Sequence, residues 1–242
     1  MIEVERLTLG YGNTVVLENL DFTVARGDVF AVLGGSGSGK STLLRALIGL
    51  EEPLRGTIRI AGAPPRREGP PGNGVLFQSG ALFGSMTLAE NVALALAKWT
   101  KLDRDAIDTI VRSKLRLVGL EGFENHLPAE ISGGMKKRTG IARALALDPS
   151  LLFLDEPSAG LDPVTSAELD QLILRLARNL GVTFVVVTHE LHSIFAISDR
   201  VIMLDKSVRG IIAEGDPEEL RDRSENPIVH RFFNREPEAV AA

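Results

Sequence analysis

Gly34-Gly35-Ser36-Gly37-Ser38-Gly39-Lys40-Ser41-Thr42 follows the apolar run Val29-Phe30-Ala31-Val32-Leu33 and precedes Leu43-Leu44-Arg45-Ala46-Leu47-Ile48. The order reads strand, glycine loop, helix. It fits G-x-x-x-x-G-K-[ST], in which small residues let backbone N–H groups close around phosphates at the positive end of a helix. Lys40 is expected to reach the β- and γ-phosphates, and Ser41 to place its hydroxyl on Mg²⁺. The alternative is a glycine-rich turn with an exposed lysine. The strand before it and the helix after it argue for the phosphate clamp.

Upstream, Ile2, Val4, Leu7 and Leu9 alternate loosely with polar residues, as in a half-buried strand ending at Gly10-Tyr11-Gly12, which places Tyr11 in a turn. An aromatic there can stack on a purine or simply pack locally, and its position alone does not choose. Val15 to Val24 and Gly56 to Ile60 read as further strands, so an antiparallel sheet is expected beside the clamp. Ala61 to Gly74 holds four of the twelve prolines and reads as an exposed loop.

Downstream, Val75-Leu76-Phe77-Gln78 reads as a short buried strand ending in a lone amide. Thr87-Leu88-Ala89-Glu90 has the form of a capping box opening a helix through Leu96, and Ile107, Ile110, Val111, Leu115 and Val118 share one helical face. Residues 79–130 therefore read as mainly helical, without βαβ alternation. Ser132 is placed as the N-cap of a helix reaching about Leu147, where Gly133 and Gly134 would let a ligand approach free N–H groups; an ordinary helix cap has the same pattern.

Leu151-Leu152-Phe153-Leu154 then delivers Asp155 and Glu156 at the carboxyl end of a fully apolar strand, the edge where ligands bind in open α/β sheets. Alternation along the strand gives the two acids different tasks: Asp155 holds Mg²⁺ through water, and Glu156 orients or activates the attacking water. Asp162 with Pro163 reads as the start of a helix to about Asn179, stopped by Gly181. Thr183 to Thr188 is a second buried strand, and His189 stands at its end within expected reach of a γ-phosphate. Val201 to Leu204 and Gly210 to Ala213 read as a closing hairpin, and Pro217 to Arg223 as a short helix. In the tail, Ile228, Val229, Phe232 and Phe233 share a helical face that should dock on this chain or a dimer partner, before a disordered end from Glu236.

At 242 residues and 44% hydrophobic content the chain can fill one large or two intimately packed subdomains. Zero cysteines exclude disulfides, thiolate metal sites and cysteine nucleophiles. The net charge of −5 gives no general attraction to nucleic acid. The start lacks the pattern of a signal peptide and no apolar run approaches a spanning helix, so the protein is expected to be kept in the cytoplasm.

The clamp, Gln78, Ser132-Gly133-Gly134, Leu151 to Glu156, Ser158 to Asp162 and His189 resemble, in order and spacing, an ATP-binding-cassette (ABC) ATPase over about residues 2–222. The resemblance implies an α/β P-loop NTPase fold: a RecA-like parallel-sheet core with an antiparallel β-subdomain and an inserted helical subdomain. It implies a cassette over 1–224 with the helical insertion at about 79–137, followed by the tail 225–242. ATP and Mg²⁺ are the implied cofactors. Two ATP molecules would lie in a homodimer, each bound by one chain's clamp and the other's Ser-Gly-Gly helix.

On that resemblance Tyr11 stacks on adenine, residues Gly34 to Thr42 hold the phosphates, and Ser41, Gln78 and Asp155 serve the metal. Lys40, Gln78, Glu156 and His189 carry the catalysis, while Ser132, Gly133, Gly134 and Asp162 serve the nucleotide across the dimer. Where the family signature usually continues with glutamine, this chain has Met135 followed by Lys136-Lys137-Arg138. That variant, with Leu76 to Phe83 and Phe232-Phe233-Asn234-Arg235, is similar to the ATPase subunits of mammalian-cell-entry, or maintenance-of-lipid-asymmetry, lipid transporters. The resemblance implies a protein on the cytoplasmic side of the inner membrane. It would be held there by an integral permease, with a mammalian-cell-entry protein and an accessory subunit as further partners and no nucleic acid. The cargo implied is a lipid, in particular phospholipid; the alternatives are an amino acid or other solute, or a soluble ABC ATPase without a permease.

Overall fold

The computed structural model describes residues 1–12, 14–66 and 69–236. It begins with β1 (Ile2–Tyr11), β2 (Thr14–Val24), β3 (Val29–Gly34), α1 (Lys40–Leu47) and β4 (Arg55–Ile60). Next come β5 (Gly74–Leu76), α2 (Leu88–Trp99), α3 (Arg104–Leu117), α4 (Gly133–Ala144) and β6 (Leu151–Asp155). The remaining elements are α5 (Pro163–Leu180), β7 (Thr183–Val187), α6 (Leu191–Ile197), β8 (Arg200–Asp205), β9 (Gly210–Gly215), α7 (Pro217–Arg223) and α8 (Pro227–Asn234). They fall into two compact units, one of residues 1–65 with 187 onward, the other of residues 66–186.

In the first unit β2, β1 and β4 form the expected antiparallel sheet in that order. Val4 and Leu7 are both buried although three residues apart, because the β1–β2 register shifts between them and Arg6 turns over at φ 46°. One irregularity thus returns the later side chains to the core. Asp21 Oδ1 steadies it by accepting from the Arg6 amide at 2.9 Å. Tyr11 is not in the turn: it is the last residue of β1, paired with Thr14, because the hairpin closes tightly after it.

All six residues of β3 are buried, as expected for a strand inside a sheet. It pairs in parallel with β8, and β8 pairs antiparallel with β9 to give the closing hairpin. Asp199 sets the start of β3, accepting from Val29 N at 2.8 Å while its own amide donates to Val29 O at 2.9 Å. The tail helix α8 packs on its own chain. Val229 and Phe233 are buried in a cluster with Leu33, Ile194 and Met203, and Phe195 lies 5.7 Å from Phe233 between ring centroids. Glu236, expected to open a disordered end, is placed, its amide donating to Arg231 O at 3.0 Å; residues 237–242 lie outside the described residues.

Phe233→Ala should lower stability by about 2 kcal/mol, less than for a central phenylalanine, because a terminal two-turn helix can undock without unfolding the rest. Thermal or urea melting checks this. An unchanged midpoint would contradict the packing.

In the second unit β5, β6 and β7 are neighbours in that order, with β5 and β6 parallel. The strand expected over residues 75–78 stops at Leu76; Phe77 is 38% exposed and Gln78 lies in the turn beyond. The Thr87 capping box is complete, with Glu90 N donating to Thr87 Oγ1 and Thr87 N to Glu90 Oε2 at 2.7 Å. The helix it opens continues to Trp99, three residues beyond the expected Leu96. Val111 and Leu115 of α3 and Val118 just after it are buried, while Ile107 and Ile110 on the same expected face are half-buried. Helix α4 packs closely on β5: a Cβ at Gly74 would lie 2.4 Å from Ala144 O, and one at Gly140 2.4 Å from Leu76 Cδ1. No helix among the described residues is long and apolar enough to cross a membrane.

Candidate functional site: a nucleotide cassette

The glycine loop leaves the end of β3, turns at Gly37 (φ 76°) and Gly39 (φ 97°), and enters α1 at Lys40. Ser38 N donates to Gly35 O at 3.3 Å, and the first intrahelical bond runs from Leu43 N to Gly39 O at 2.9 Å. The amides ahead of that bond face the helix mouth, the ordinary place for an anion. Lys40 Nζ donates to Gly34 O at 2.7 Å and Gly35 O at 3.0 Å, lying over its own loop.

Whether a triphosphate fits can be read from the cradle. A Cβ at Gly35 or Gly37 would meet open space, whereas one at Gly39 would strike Leu17 at 2.7 Å and one at Gly34 would strike Leu204 O at 2.4 Å. The loop is thus packed from behind and open in front. Ser38 is 3% exposed and its Oγ has no hydrogen-bond partner among the described residues, while Ser41 is exposed at the helix start. These residues suit phosphate oxygens and a hard cation. Among the described residues no cluster of three His, Cys, Asp or Glu side chains could hold a metal.

Tyr11 stands beside the clamp, its hydroxyl 3.4 Å from Thr42 Oγ1 and accepting from Arg45 Nη1 at 3.3 Å, with 44% of the residue exposed. A half-exposed ring fixed by its hydroxyl is well suited to stacking on a base. Thr188 N donates to Val32 O at 3.3 Å, so exposed His189 follows a residue tied to the strand that feeds the loop. The first unit therefore brings Tyr11, residues 34–42 and His189 together. A cleft of about 400 Å³ opens beside Gly35 and Ser36 and is also lined by Arg231 and Phe232 of α8.

The second unit holds the acids. Leu76 pairs with Leu154, so Gln78 and Glu156 leave adjacent strands at the same level. Asp155 ends β6, but Glu156 is beyond the strand at φ 46°, a conformation uncommon for glutamate. The alternation expected to separate the two acids is thus replaced by a backbone turn. Lys137 Nζ donates to both Gln78 O (2.5 Å) and Glu156 O (3.0 Å).

Ser132 caps α4 as expected, accepting from Met135 N at 3.3 Å, and Asp162 caps α5, accepting from Val164 N and Thr165 N. The two caps adjoin: a Cβ at Gly134 would lie 2.4 Å from Thr165 Cγ2, and one at Gly133 3.3 Å from Leu161 Cδ2. The Thr165 hydroxyl, then its amide, hold the Asp162 carboxyl below the usual carboxylate range. Because the folded value is depressed, the stabilisation is present above the unfolded pKa and is lost as pH falls through the folded one.

Three residues not expected to be site residues shape this half. Lys137 is one. Buried Asn91 donates to Phe83 O, Met86 O and Thr87 O and accepts from Phe83 N, fixing the loop that follows Gln78. Arg143 donates to Gly80 O at 3.0 Å and Ala81 O at 2.7 Å, and burial lowers its pKa. Lys137 had one readable signal: it falls on the helical stripe of Gly134 and Ile141, the buried side of α4.

A strand, a glycine loop closed from behind and a helix whose first amides face outward define a P-loop nucleotide-binding protein. The ABC transporter family model matches residues 17–159. A Mycobacterium tuberculosis protein described as a probable ribonucleotide transport ATP-binding protein is 43% identical over 96% of this chain. A sulfate/thiosulfate import ATP-binding protein of the same species is 41% identical over 96% of this chain. The chain spans 66% of the length of each, just under two thirds.

Among solved structures, the ATP-binding cassette MJ0796, dimeric with ADP and Pi, has a TM-score of 0.78 and 28% identity over 89% of this chain and 98% of its own. The cbiO1 subunit from Clostridium perfringens, part of a cbiONQ transporter complex, reaches 0.84 with 30% identity over 93% and 91%. The chain belongs to the ABC transporter family. Its fold is the P-loop NTPase fold expected.

Proposed function

We propose that the chain is the ATP-hydrolysing subunit of a transporter that moves a lipid, specifically phospholipid, between membranes through a separate permease. The observation that carries the hydrolytic part is Gln78 and Glu156 leaving neighbouring strands level with each other, both carbonyls held by one lysine. In this reading residues 1–224 are the cassette, the helical segment at about 79–137 is the insertion, and 225–242 is a tail. Two chains close around two ATP molecules. Tyr11 takes adenine, residues 34–42 the phosphates, and Ser41, Gln78 and Asp155 the metal. Glu156 orients water, His189 meets the γ-phosphate, and Ser132 to Gly134 with Asp162 serve the opposite nucleotide.

Docking on a permease is supported by the segment around Gln78, which exposes both Phe77 at 38% and Phe83 at 55%. Lipid cargo is supported by Ser132-Gly133-Gly134-Met135-Lys136-Lys137 and Leu76 to Phe83, which resemble the lipid-transport group. The names of the mycobacterial relatives favour a second reading, the same engine with a ribonucleotide or inorganic anion as cargo.

Gentle extraction of the tagged protein from its native membranes, followed by mass spectrometry of co-purifying proteins and lipids, separates the readings. A permease with a mammalian-cell-entry protein and bound phospholipid is expected. A permease with a solute-binding protein would overturn the lipid cargo. Recovery without any membrane protein would overturn the transporter role.

A further inference from the structure

We propose that Lys137 is a positioning residue for ATP hydrolysis, its ammonium tying the loop at Gln78 to the backbone of Glu156. This role rests on the reading of Gln78 and Glu156 as hydrolytic groups. Lys137 is 6% exposed, and a buried ammonium is costly unless it is well hydrogen-bonded. Its ammonium donates to Gln78 O at 2.5 Å and Glu156 O at 3.0 Å, carbonyls from two other segments. Charge-assisted bonds of this kind are roughly twice as strong as neutral ones.

The Glu156 carbonyl is the one worth holding. Glu156 sits at φ 46°, where a non-glycine residue persists only if its surroundings hold it. The same oxygen also accepts from Ala159 N at 3.2 Å, so losing the lysine leaves a single neutral turn bond to hold the peptide and loosens the placing of the carboxylate. At the other end, α4 grips the 78–81 segment twice, through Lys137 at Gln78 O and through Arg143 at Gly80 O and Ala81 O. Of these two cations it is Lys137 that also reaches Glu156. Lys137 Nζ therefore links the loop to the backbone of the catalytic carboxylate. Displacements near 1 Å change rates by about a hundredfold, so this tether is sufficient to gate turnover.

Steady-state ATPase kinetics of the full chain test this, with Lys137→Gln, Lys137→Arg and Glu156→Gln purified in parallel. Lys137→Gln should lower kcat by about tenfold to a hundredfold, with KM and the affinity for a fluorescent ATP analogue within about threefold of wild type. Lys137→Arg, which keeps the charge and the donors, should recover most of kcat. Amide exchange should rise in Lys137→Gln over residues 78–81 and 156–159 and not over α1.

A Lys137→Gln protein with kcat within about twofold of wild type overturns the role, as does a loss in which KM, melting temperature and exchange throughout the chain move together. Should Lys137→Gln not fold, a Lys137→Arg protein with wild-type melting but a kcat loss of about tenfold or more overturns it, and retained kcat supports it. Glu156→Gln separates the two levels. If it hydrolyses ATP at the wild-type rate, the reading of the site itself fails; if it is inactive while Lys137→Gln matches wild type, only the Lys137 role fails.

Discussion

Glu156→Gln should lower the ATPase rate by about 10²- to 10⁴-fold while leaving ATP binding intact. Glutamine fills the same volume and keeps the backbone bond from Lys137 Nζ to residue 156 O. It cannot accept a proton from water, and its amide aims a donor where the carboxylate offered an acceptor. Lys40 and the glycine loop belong to the other unit and are untouched, so the phosphates keep their cradle. In the dimer reading, ATP that binds but does not turn over should accumulate a closed dimer. Phosphate release assays with size-exclusion chromatography in ATP and Mg²⁺ check both parts. A rate within about threefold of wild type would remove Glu156 from the chemistry.

Gly34→Ala should abolish nucleotide binding and cost about 2–5 kcal/mol of stability. Gly34 ends β3 at φ 143°, a region for which an L side chain pays strain. Its Cβ would also lie 2.4 Å from Leu204 O and 2.5 Å from Ser38 Oγ. The first neighbour is backbone of the paired strand and cannot swing away. Relief must come from moving the loop, the same atoms that shape the phosphate cradle. Thermal melting and nucleotide-analogue titration should both respond. Wild-type binding by a protein with an unchanged midpoint would contradict this geometry. Gly35→Ala is the contrast, since its Cβ meets open space and the fold should survive it.

The features that were readable in the sequence are those settled between near neighbours. The Thr87 box, the Ser132 and Asp162 caps and the Gly181 stop each depend on a side chain or a backbone angle within three residues. The clamp is of the same kind, as is β6, whose uninterrupted apolar run states its burial. What the sequence concealed depends on distant partners. Phe77 extends the apolar run past β5 although it is exposed, so the strand reads too long. Arg6 hides an irregularity that only cross-strand pairing reveals. Lys137 shares the buried stripe of α4 with Gly134 and Ile141, but the two carbonyls from other segments that meet its ammonium leave no mark in its own stretch of sequence. Glu156 carries no sign of its turned backbone, because its position after a strand would ordinarily mean extended geometry.

Lys40 leaves one more consequence. Its ammonium donates to the carbonyls of Gly34 and Gly35, so two of the loop's own oxygens stand in for phosphate oxygens. Nucleotide arrival is then a substitution reaction: phosphate oxygens replace two carbonyl oxygens around a cation already stationed at the mouth. Much of the ordering entropy has been spent during folding, and the two carbonyls must find other donors once the lysine turns outward. Departure of the product reverses the exchange, so the loop's own carbonyls compete with phosphate for the lysine.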